Sequence, residues 1–577
     1  MTFCCSGIGV NPGIAIGRAH LLQRGLIEVT PRFVPFNQIA NEIDRYRQAV
    51  ASARRSLSTV EKKIPRSTWS EIASFVDTHL LMLADAALSE VPIDFIREQN
   101  CAAEWALQLQ RDALVKVFDA MDDPYLRSRK DDVDHVINHI QKFLLQKKKD
   151  EDSTDLHGRI IIAQDLSPAD TILLRHQGVA GFVTEGGGPM SHTAILARGL
   201  GIPALVGVHH ATQILNQGER LIVDGKQGAL LATDEKSILD HYRNLIRKSE
   251  KRATSLLTLI KKPAVTLDSE TVHLMANIEL PEDIEASRTL AADGVGLYRT
   301  EYLFMNRSGA PDEEEQLAAY SQAVEGLDGL PITIRTLDLG ADKRLDSCAQ
   351  ESTTCNPALG LRAIRLCLKE PKLFRPHLRA ILRASALGPV KIMIPMLSNL
   401  QEVYQIKALL QETKESLTRD GLAYADNICV GGMIEVPAAA LAANAFAREL
   451  DFLSVGTNDL VQYTLAIDRI DDEVNYLYDP LHPSVLRLIQ MVIDAGNRHG
   501  IPVSMCGEMA GDPRYIPLLL GMGLREFSMQ PGSLLEAKRV VRSLNAAALS
   551  KQVGRIMRNI DGPNTLTALS QICTQYC

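Results

Sequence analysis

His192 lies in the run Gly186-Gly-Gly-Pro-Met-Ser-His192-Thr-Ala-Ile-Leu-Ala-Arg198, where three glycines lead into an imidazole and then into a helical pattern. Glycine lets the backbone turn tightly with its N–H groups free, and the N-terminus of a helix carries partial positive charge. An anion on or beside the ring is therefore stabilised. The layout suits a histidine that accepts a phosphoryl group. An isolated histidine at a helix start is more often a satisfied side chain, so the weight for the sharper reading comes from elsewhere in the chain.

Three further sets of residues carry chemistry. Arg299 lies in Gly294-Val-Gly-Leu-Tyr-Arg299-Thr-Glu301 and Arg335 in Ile334-Arg335-Thr-Leu-Asp338-Leu-Gly-Ala-Asp-Lys343. Two guanidiniums with Lys343 nearby would clamp a phosphate or carboxylate through paired charge-assisted hydrogen bonds. Glu435 in Met433-Ile-Glu435-Val-Pro and Asp459 in Gly456-Thr-Asn458-Asp459-Leu offer hard oxygen ligands. Two carboxylates, with substrate and water completing the shell, match the way Mg²⁺ is held against a phosphate, although acid/base work or pairing with the arginines fits the spacing equally. Cys506, in Val503-Ser-Met-Cys506-Gly-Glu508, has a thiol able to deliver a proton to a carbanion-like carbon, or it is a buried structural cysteine.

The elements that must position these residues follow from periodicity. After Val265 apolar strands alternate with long helical stretches, and eight strands are expected at Val272–Ala276, Gly294–Tyr298, Pro331–Thr336, Lys391–Pro395, Val430–Ile434, Phe452–Gly456, Pro502–Met505 and Glu526–Met529. Eight strand-plus-helix units over about 300 residues are the pattern of a (β/α)8 TIM barrel. Asn277, Arg299 with Glu301, Arg335 with Asp338, Glu435, Asn458 with Asp459, and Cys506 with Glu508 then all stand just past strand ends, the rim on which such barrels build active sites.

Upstream, Ile8–Leu22 is strand-like with glycine turns, and the same character returns at Gly158 with strands expected at Arg159–Ala163, Gly181–Thr184 and Arg220–Asp224. Between them, from about Asn37 to Leu145, glycine nearly vanishes and apolar residues recur at helical spacing, as in Phe75–Leu83. The expected architecture is an N-terminal α/β domain carrying His192 (residues 1–36 and 146–234) with an inserted α-helical subdomain (37–145). A linker helix (235–262) and the C-terminal barrel (263–577) follow.

The chain of 577 residues exceeds a single core and matches about three or four domains. Its 62 Lys plus Arg against 70 Asp plus Glu give a formal charge of -8, with no general attraction for nucleic acid or an anionic membrane. Any anionic ligand must be held by a local cluster of cations. No apolar run approaches bilayer length, the glycine-interrupted N-terminus does not read as a signal peptide, and the ten cysteines show no repeated spacing. A cytoplasmic protein with reduced thiols is expected.

Along essentially its whole length the sequence resembles enzyme I of the bacterial phosphoenolpyruvate:sugar phosphotransferase system. The anchors are Gly187–Arg198 around His192, Gly294–Glu301, Asn356-Pro-Ala-Leu-Gly-Leu-Arg362-Ala-Ile-Arg365, Ser454-Val-Gly-Thr-Asn458-Asp459-Leu-Val-Gln-Tyr463 and Met505–Glu508. The resemblance implies that phosphoenolpyruvate phosphorylates His192, which passes the group to a histidine of the small carrier HPr and releases pyruvate. It implies Arg299, Arg335, Asn458 and Arg469 as phosphoenolpyruvate contacts, with Arg362 and Lys343 assisting, Glu435 and Asp459 as Mg²⁺ ligands, and Cys506 as proton donor. It further implies HPr docking on the helical insert, a swinging histidine domain and a homodimer formed through the barrel.

The sequence departs from the family's usual pattern at Pro189-Met190, at Ile470 after Arg469, and at Cys355 before Asn356. None of these removes an expected reacting group. Pyruvate phosphate dikinase and phosphoenolpyruvate synthase share the swinging histidine and the barrel but add a large ATP-grasp domain, for which this chain has no room. The residues also leave open a regulatory, nitrogen-type member of the same family, or a degenerate barrel that only binds partners. The retained His192, Glu435, Asp459 and Cys506 speak against degeneracy.

Overall fold

The computed structural model describes residues 2–575 apart from Pro12, Asp165, Pro563 and residues 23–28, 62–77, 120–123, 146–155, 167–173, 175–176, 187–196, 198–201, 305–308, 340–356 and 469–473. The described residues form two compact units, Met1–Glu250 and Lys251–Cys577.

The first unit holds an eight-stranded sheet made of β1 (Phe3–Ser6), β2 (Ile8–Asn11), β3 (Ile14–Leu22), β4 (Arg159–Ala163), β5 (Gly181–Thr184), β6 (Ala204–Val206), β7 (Arg220–Asp224) and β8 (Ala229–Ala232). Its order is β1-β8-β7-β3-β4-β5-β6-β2, with β3 to β6 parallel and the remaining pairings antiparallel. The edge strands β1 and β2 are separated in the chain by Gly7 alone, so the sheet must curl until its edges meet. The closure is tight. A Cβ on Gly9 would lie 1.9 Å from the Gly225 carbonyl oxygen, and one on Gly225 would lie 1.8 Å from that of Asn11.

Hydrophobic residues fill both faces of this sheet, Val183, Leu205 and Val223 on one and Ile161, Phe182 and Val206 on the other. The strands expected at Arg159–Ala163, Gly181–Thr184 and Arg220–Asp224 are present. The short strands Phe3–Ser6, Ala204–Val206 and Ala229–Ala232 are not marked by any run long enough to read from sequence.

Between β3 and β4 the chain forms the helical insert, with helices Ile39–Glu61, Val91–Gln99, Ala103–Asp119 and Pro124–Leu144 among its elements. Its core is its own, built around Tyr46, Leu57, Ile96, Leu107, Val136 and Ile140. Arg45 ties it together by pairing with Glu42 at 2.7 Å and Glu104 at 2.5 Å. A helix at Lys236–Leu257 occupies the stretch expected to link the two halves of the chain.

The second unit is a closed barrel of eight parallel strands: β9 (His273–Ile278), β10 (Val295–Tyr298), β11 (Ile332–Arg335), β12 (Val390–Ile394), β13 (Cys429–Ile434), β14 (Phe452–Val455), β15 (Val503–Met505) and β16 (Glu526–Met529). All eight expected strands are there, displaced by no more than a residue or two. Alternation divides their side chains. Ile392, Ile394 and Ile434 face the helices, while Leu297, Met393, Met433, Phe452 and Cys506 form a separate cluster on the opposite, lumen side.

The helices after β10 and β11, Glu313–Gly326 and Pro371–Ala384, are locked by a buried histidine. Gln316 donates through Nε2 to the Pro311 carbonyl at 3.0 Å, which leaves its Oε1 to accept from His377 Nδ1 at 2.8 Å. Nδ1 therefore carries a proton, and the buried Nε2 has no partner among the described residues to hold a second one. Burial pushes the His377 pKa down from 6.5 to about 3. The unfolded chain thus binds a proton that the fold excludes between those values, so stability is full above about pH 6.5 and falls as pH drops toward 3. The total loss has an upper bound of about 5 kcal/mol. Calorimetric melting between pH 7 and 4 should show a steeper fall in Tm for the parent than for His377→Gln, and equal slopes would disprove this source of acid lability.

Candidate active site at the barrel rim

Each candidate in the barrel stands where its strand stops. Arg299 follows β10 and Glu435 follows β13, Arg335 ends β11, Cys506 follows β15, and Asn458 with Asp459 open the helix Thr457–Leu465 after β14. His192, Lys343 and Arg469 lie outside the described residues, as do Pro189-Met190, Cys355 and Ile470.

The centre of the site is a chain of alternating charges. Arg335 contacts Glu301 Oε1 through Nη2 and Asp338 Oδ2 through Nη1, both at 3.2 Å. Asp338 Oδ1 accepts in turn from Arg362 Nη2 at 2.9 Å and Nε at 3.2 Å, and Arg362 Nη2 lies 3.6 Å from Asp459 Oδ2. The Asp338 N–H also donates to Glu301 at 2.8 Å, which fixes the spacing between the loops after β10 and β11. Arg362 Nη1 donates to the Tyr463 hydroxyl at 3.4 Å, and that hydroxyl donates to the Ala358 carbonyl at 2.7 Å.

Burial works against the charge on Arg335, but Glu301, Asp338, Glu435 and Cys506 outweigh it and hold the guanidinium proton more tightly than usual. Burial likewise opposes the charge on Arg362, and Asp338 and Asp459 outweigh it. Arg335 is thus a fixed, buried cation rather than a free clamp. Its Nε and the neighbouring Thr336 hydroxyl are buried without partners among the described residues, as is the hydroxyl of Thr457. Arg299 is different in kind, a third exposed and bonded to Glu279 at the end of the adjacent strand. An incoming anion can compete for it.

Glu435 is 2% exposed and accepts the Met396 N–H on Oε1 at 2.6 Å. Met396 adopts φ +59, a left-handed conformation that costs a non-glycine residue about 1 kcal/mol or more. It is held there because the next helix is stapled by a capping box between Asn399 and Glu402. Burial, followed by repulsion from Asp459 and Asp338, pushes the Glu435 carboxyl well above the usual range against the pull of Arg335 and Met396. Among the described residues the carboxyl groups of Glu301, Asp338, Glu435 and Asp459 adjoin the guanidiniums of Arg335 and Arg362. The crowding of carboxyl groups that raises Glu435 lies beside Asp459, a setting in which a divalent cation would relieve their repulsion. Among the described residues no group of three or more His, Cys, Asp and Glu side chains forms a protein-only metal cage.

Cys506 sits on the drier side of the rim, packed with Leu297, Met393, Met433 and Phe452. Burial pushes its thiol up, the Ser454 hydrogen bond pulls it down, Glu435 raises it, and Arg335 and Arg299 lower it. At neutral pH it is a protonated acid facing a charged site. Asn458 is oriented by Glu508, accepting its N–H at 2.9 Å and donating to its carboxylate at 3.3 Å.

The structure thus brings together Arg299, Arg335, Arg362, Glu435, Asn458, Asp459 and Cys506 on one rim. The sequence marks Glu301 and Asp338 as rim residues but not their task of holding the arginines. Met396 carries no sequence signal, and Ser454 is marked only as the first residue of a motif, with nothing to show its contact with Cys506.

The chain matches the PEP-utilising enzyme, PEP-binding domain over residues 254–546, the PEP-utilising enzyme, N-terminal domain over 6–129 and the PEP-utilising enzyme, mobile domain over 156–228. It is 45% identical to a phosphoenolpyruvate-protein phosphotransferase of Cupriavidus necator, over 99% of this chain and 100% of that one. Proteins of the same name from Bacillus sp. strain S and Geobacillus stearothermophilus are each 42% identical over 93% of both chains.

Gly456 is the residue that lets Glu435 sit where it does, since a Cβ there would lie 2.9 Å from Glu435 Oε2 and 3.1 Å from the Met433 sulfur. Gly456→Ala should leave the barrel folded but displace the carboxylate, lowering kcat about a hundred-fold. Activity within two-fold of the parent, measured as pyruvate release, would show that the position of Glu435 is not critical.

Proposed function

The chain belongs to the phosphoenolpyruvate-protein phosphotransferase family of PEP-utilising enzymes, and we propose that it transfers the phosphoryl group of phosphoenolpyruvate to His192 and from there to a histidine of HPr, releasing pyruvate. The observation that carries this reading is the buried alternation Glu301, Arg335, Asp338, Arg362, Asp459 beside Glu435 and Cys506, charges on one side and a neutral acid on the other.

Arg299 exchanges Glu279 for the substrate phosphate, and Lys343 and Arg469 add positive charge to the binding of phosphoenolpyruvate. Arg335, whose Nε has no partner among the described residues, stabilises the charge that develops on the enolate oxygen, and Arg362 and Asn458 orient the anion. Glu435 and Asp459 hold Mg²⁺, which neutralises charge on the phosphate and enolate when bound. The phosphoryl group moves in line to a ring nitrogen of His192, and Cys506 delivers its proton to C3, so the product leaves as the keto acid. Formation of the keto acid supplies the driving force.

A glycine run such as the one before His192 leaves backbone N–H groups free to meet a phosphoryl group, which supports this residue as the acceptor. His192 belongs to the 1–36 and 146–234 domain and the rim to the barrel of 263–577, so the histidine must travel between phosphoenolpyruvate and carrier. The helix Lys236–Leu257 is the arm, and the insert 37–145 is the docking surface for HPr. A homodimer through the barrel and a cytoplasmic location complete the proposal. No described helix is long and apolar enough to cross a membrane.

Incubation with ³²P-labelled phosphoenolpyruvate and Mg²⁺ should give acid-labile label that chases into HPr, and His192→Ala should abolish it. Glu435→Gln or Asp459→Asn should cut the labelling rate by at least about a hundred-fold at saturating Mg²⁺. Label that persists in His192→Ala, or that arises only from ATP, would overturn the assignment.

A further inference from the structure

We infer that Ser454 is a positioning residue for Cys506, holding the thiol in register with the enolate carbon and stabilising the thiolate that remains after the proton has gone. The inference rests on the proton-donor role given to Cys506 above.

Ser454 lies in β14, 1% exposed, in the strand beside the one that Cys506 follows. Its Oγ donates to Cys506 Sγ at 3.4 Å. The thiol hydrogen faces the Val455 carbonyl at 3.8 Å, a long contact that holds the proton weakly. The backbone of Cys506 is fixed independently. Its N–H donates to Val455 at 3.1 Å, and its carbonyl accepts from Asn277 Nδ2 at 3.1 Å, with Asn277 Oδ1 accepting from Ser528 at 2.6 Å. The remaining neighbours in the lumen cluster are apolar: Leu297, Met393, Met433 and Phe452.

A buried hydroxyl among apolar side chains is destabilising unless it is hydrogen-bonded, so alanine would serve better here if the position were purely structural. The serine hydroxyl instead spends its hydrogen on the sulfur. In the step it supports, the S–H bond breaks and a C–H bond forms at C3 using the enolate π pair. The enolate oxygen becomes the ketone oxygen, and the sulfur keeps its electron pair as a thiolate. The Ser454 O–H already points at that sulfur, and a hydrogen bond to an ion is stronger than one to a neutral acceptor, so the interaction grows as the proton leaves. Solvent returns the proton in the next cycle.

The test compares Ser454→Ala, Ser454→Thr and Cys506→Ala in the full chain turning over with HPr. Each is read by kcat, by KM for phosphoenolpyruvate, and by the facial selectivity of C3 protonation. Selectivity is measured with phosphoenolpyruvate stereospecifically deuterated at C3, in tritiated water, from the chirality of the pyruvate methyl group. Ser454→Ala should lower kcat about ten-fold with KM within about two-fold, and should scramble part of the methyl chirality. Ser454→Thr, which keeps the hydroxyl, should restore both. Full kcat and intact chirality in Ser454→Ala, or a threonine variant no better than alanine, would overturn the inference while leaving Cys506 in its role. Parent-like turnover in Cys506→Ala would overturn both together.

Discussion

Asp338 governs the rim because two guanidiniums depend on its one carboxylate. It meets Arg335 at 3.2 Å and Arg362 at 2.9 Å, and its own N–H is taken by Glu301. Withdrawing charges from water costs several kcal/mol each, and the cost is met only when every charge has a partner in good geometry. Glu301, Arg335, Asp338, Arg362 and Asp459 can therefore occupy essentially one arrangement. That arrangement ties the loops after β10, β11 and β14 together, so the site is rigid before substrate arrives. The chain of charges is weak evidence for stability, since well-packed apolar residues would hold the loops as well. It is better understood as preorganised electrostatics.

The same constraint explains the division of the arginines. Arg335, buried and committed to two acids, contributes a fixed field. Arg299, paired with the half-exposed Glu279, contributes a charge that can be exchanged. Exposed ion pairs contribute about 0–1 kcal/mol, so an anionic ligand would displace Glu279 at little cost, whereas Asp338 is held by two buried guanidiniums. In the reaction proposed, one arginine is suited to capture and the other to the developing charge. A rim built from two arginines of the same kind would hold substrate and transition state alike, which lowers KM without raising kcat.

Much of this is legible in the sequence because barrels translate order along the chain into order in space. Eight apolar runs at regular spacing are enough to put Arg299, Arg335, Glu435, Asp459 and Cys506 on one rim, with no knowledge of any contact. What stays hidden depends on the third dimension. Met396 adopts φ +59 only because the Asn399 and Glu402 staple and the Glu435 carboxylate both demand it, and methionine carries no signal for that conformation. Ser454 reads as a strand residue until Cys506 is seen beside it across two strands. The short strands of the first sheet are hidden for another reason, since three or four residues such as Ala204–Val206 cannot display a period of two.

The placement of Cys506 among Leu297, Met393, Met433 and Phe452 rather than among the carboxylates has its own logic. In the proton-donor role proposed for it, the thiol has to hold its proton in the resting enzyme, and burial next to Glu435 favours this by raising it above its ordinary range. A carboxylic acid at the same place would add a further negative charge whenever it ionised, worsening the repulsion that already pushes Glu435 upward. A thiol avoids that penalty at rest and, in the proposed reaction, would become an anion only as the enolate takes its proton. The nearby arginines and the Ser454 hydroxyl favour that anion, so the forces that keep the acid protonated and those that let it react come from different neighbours.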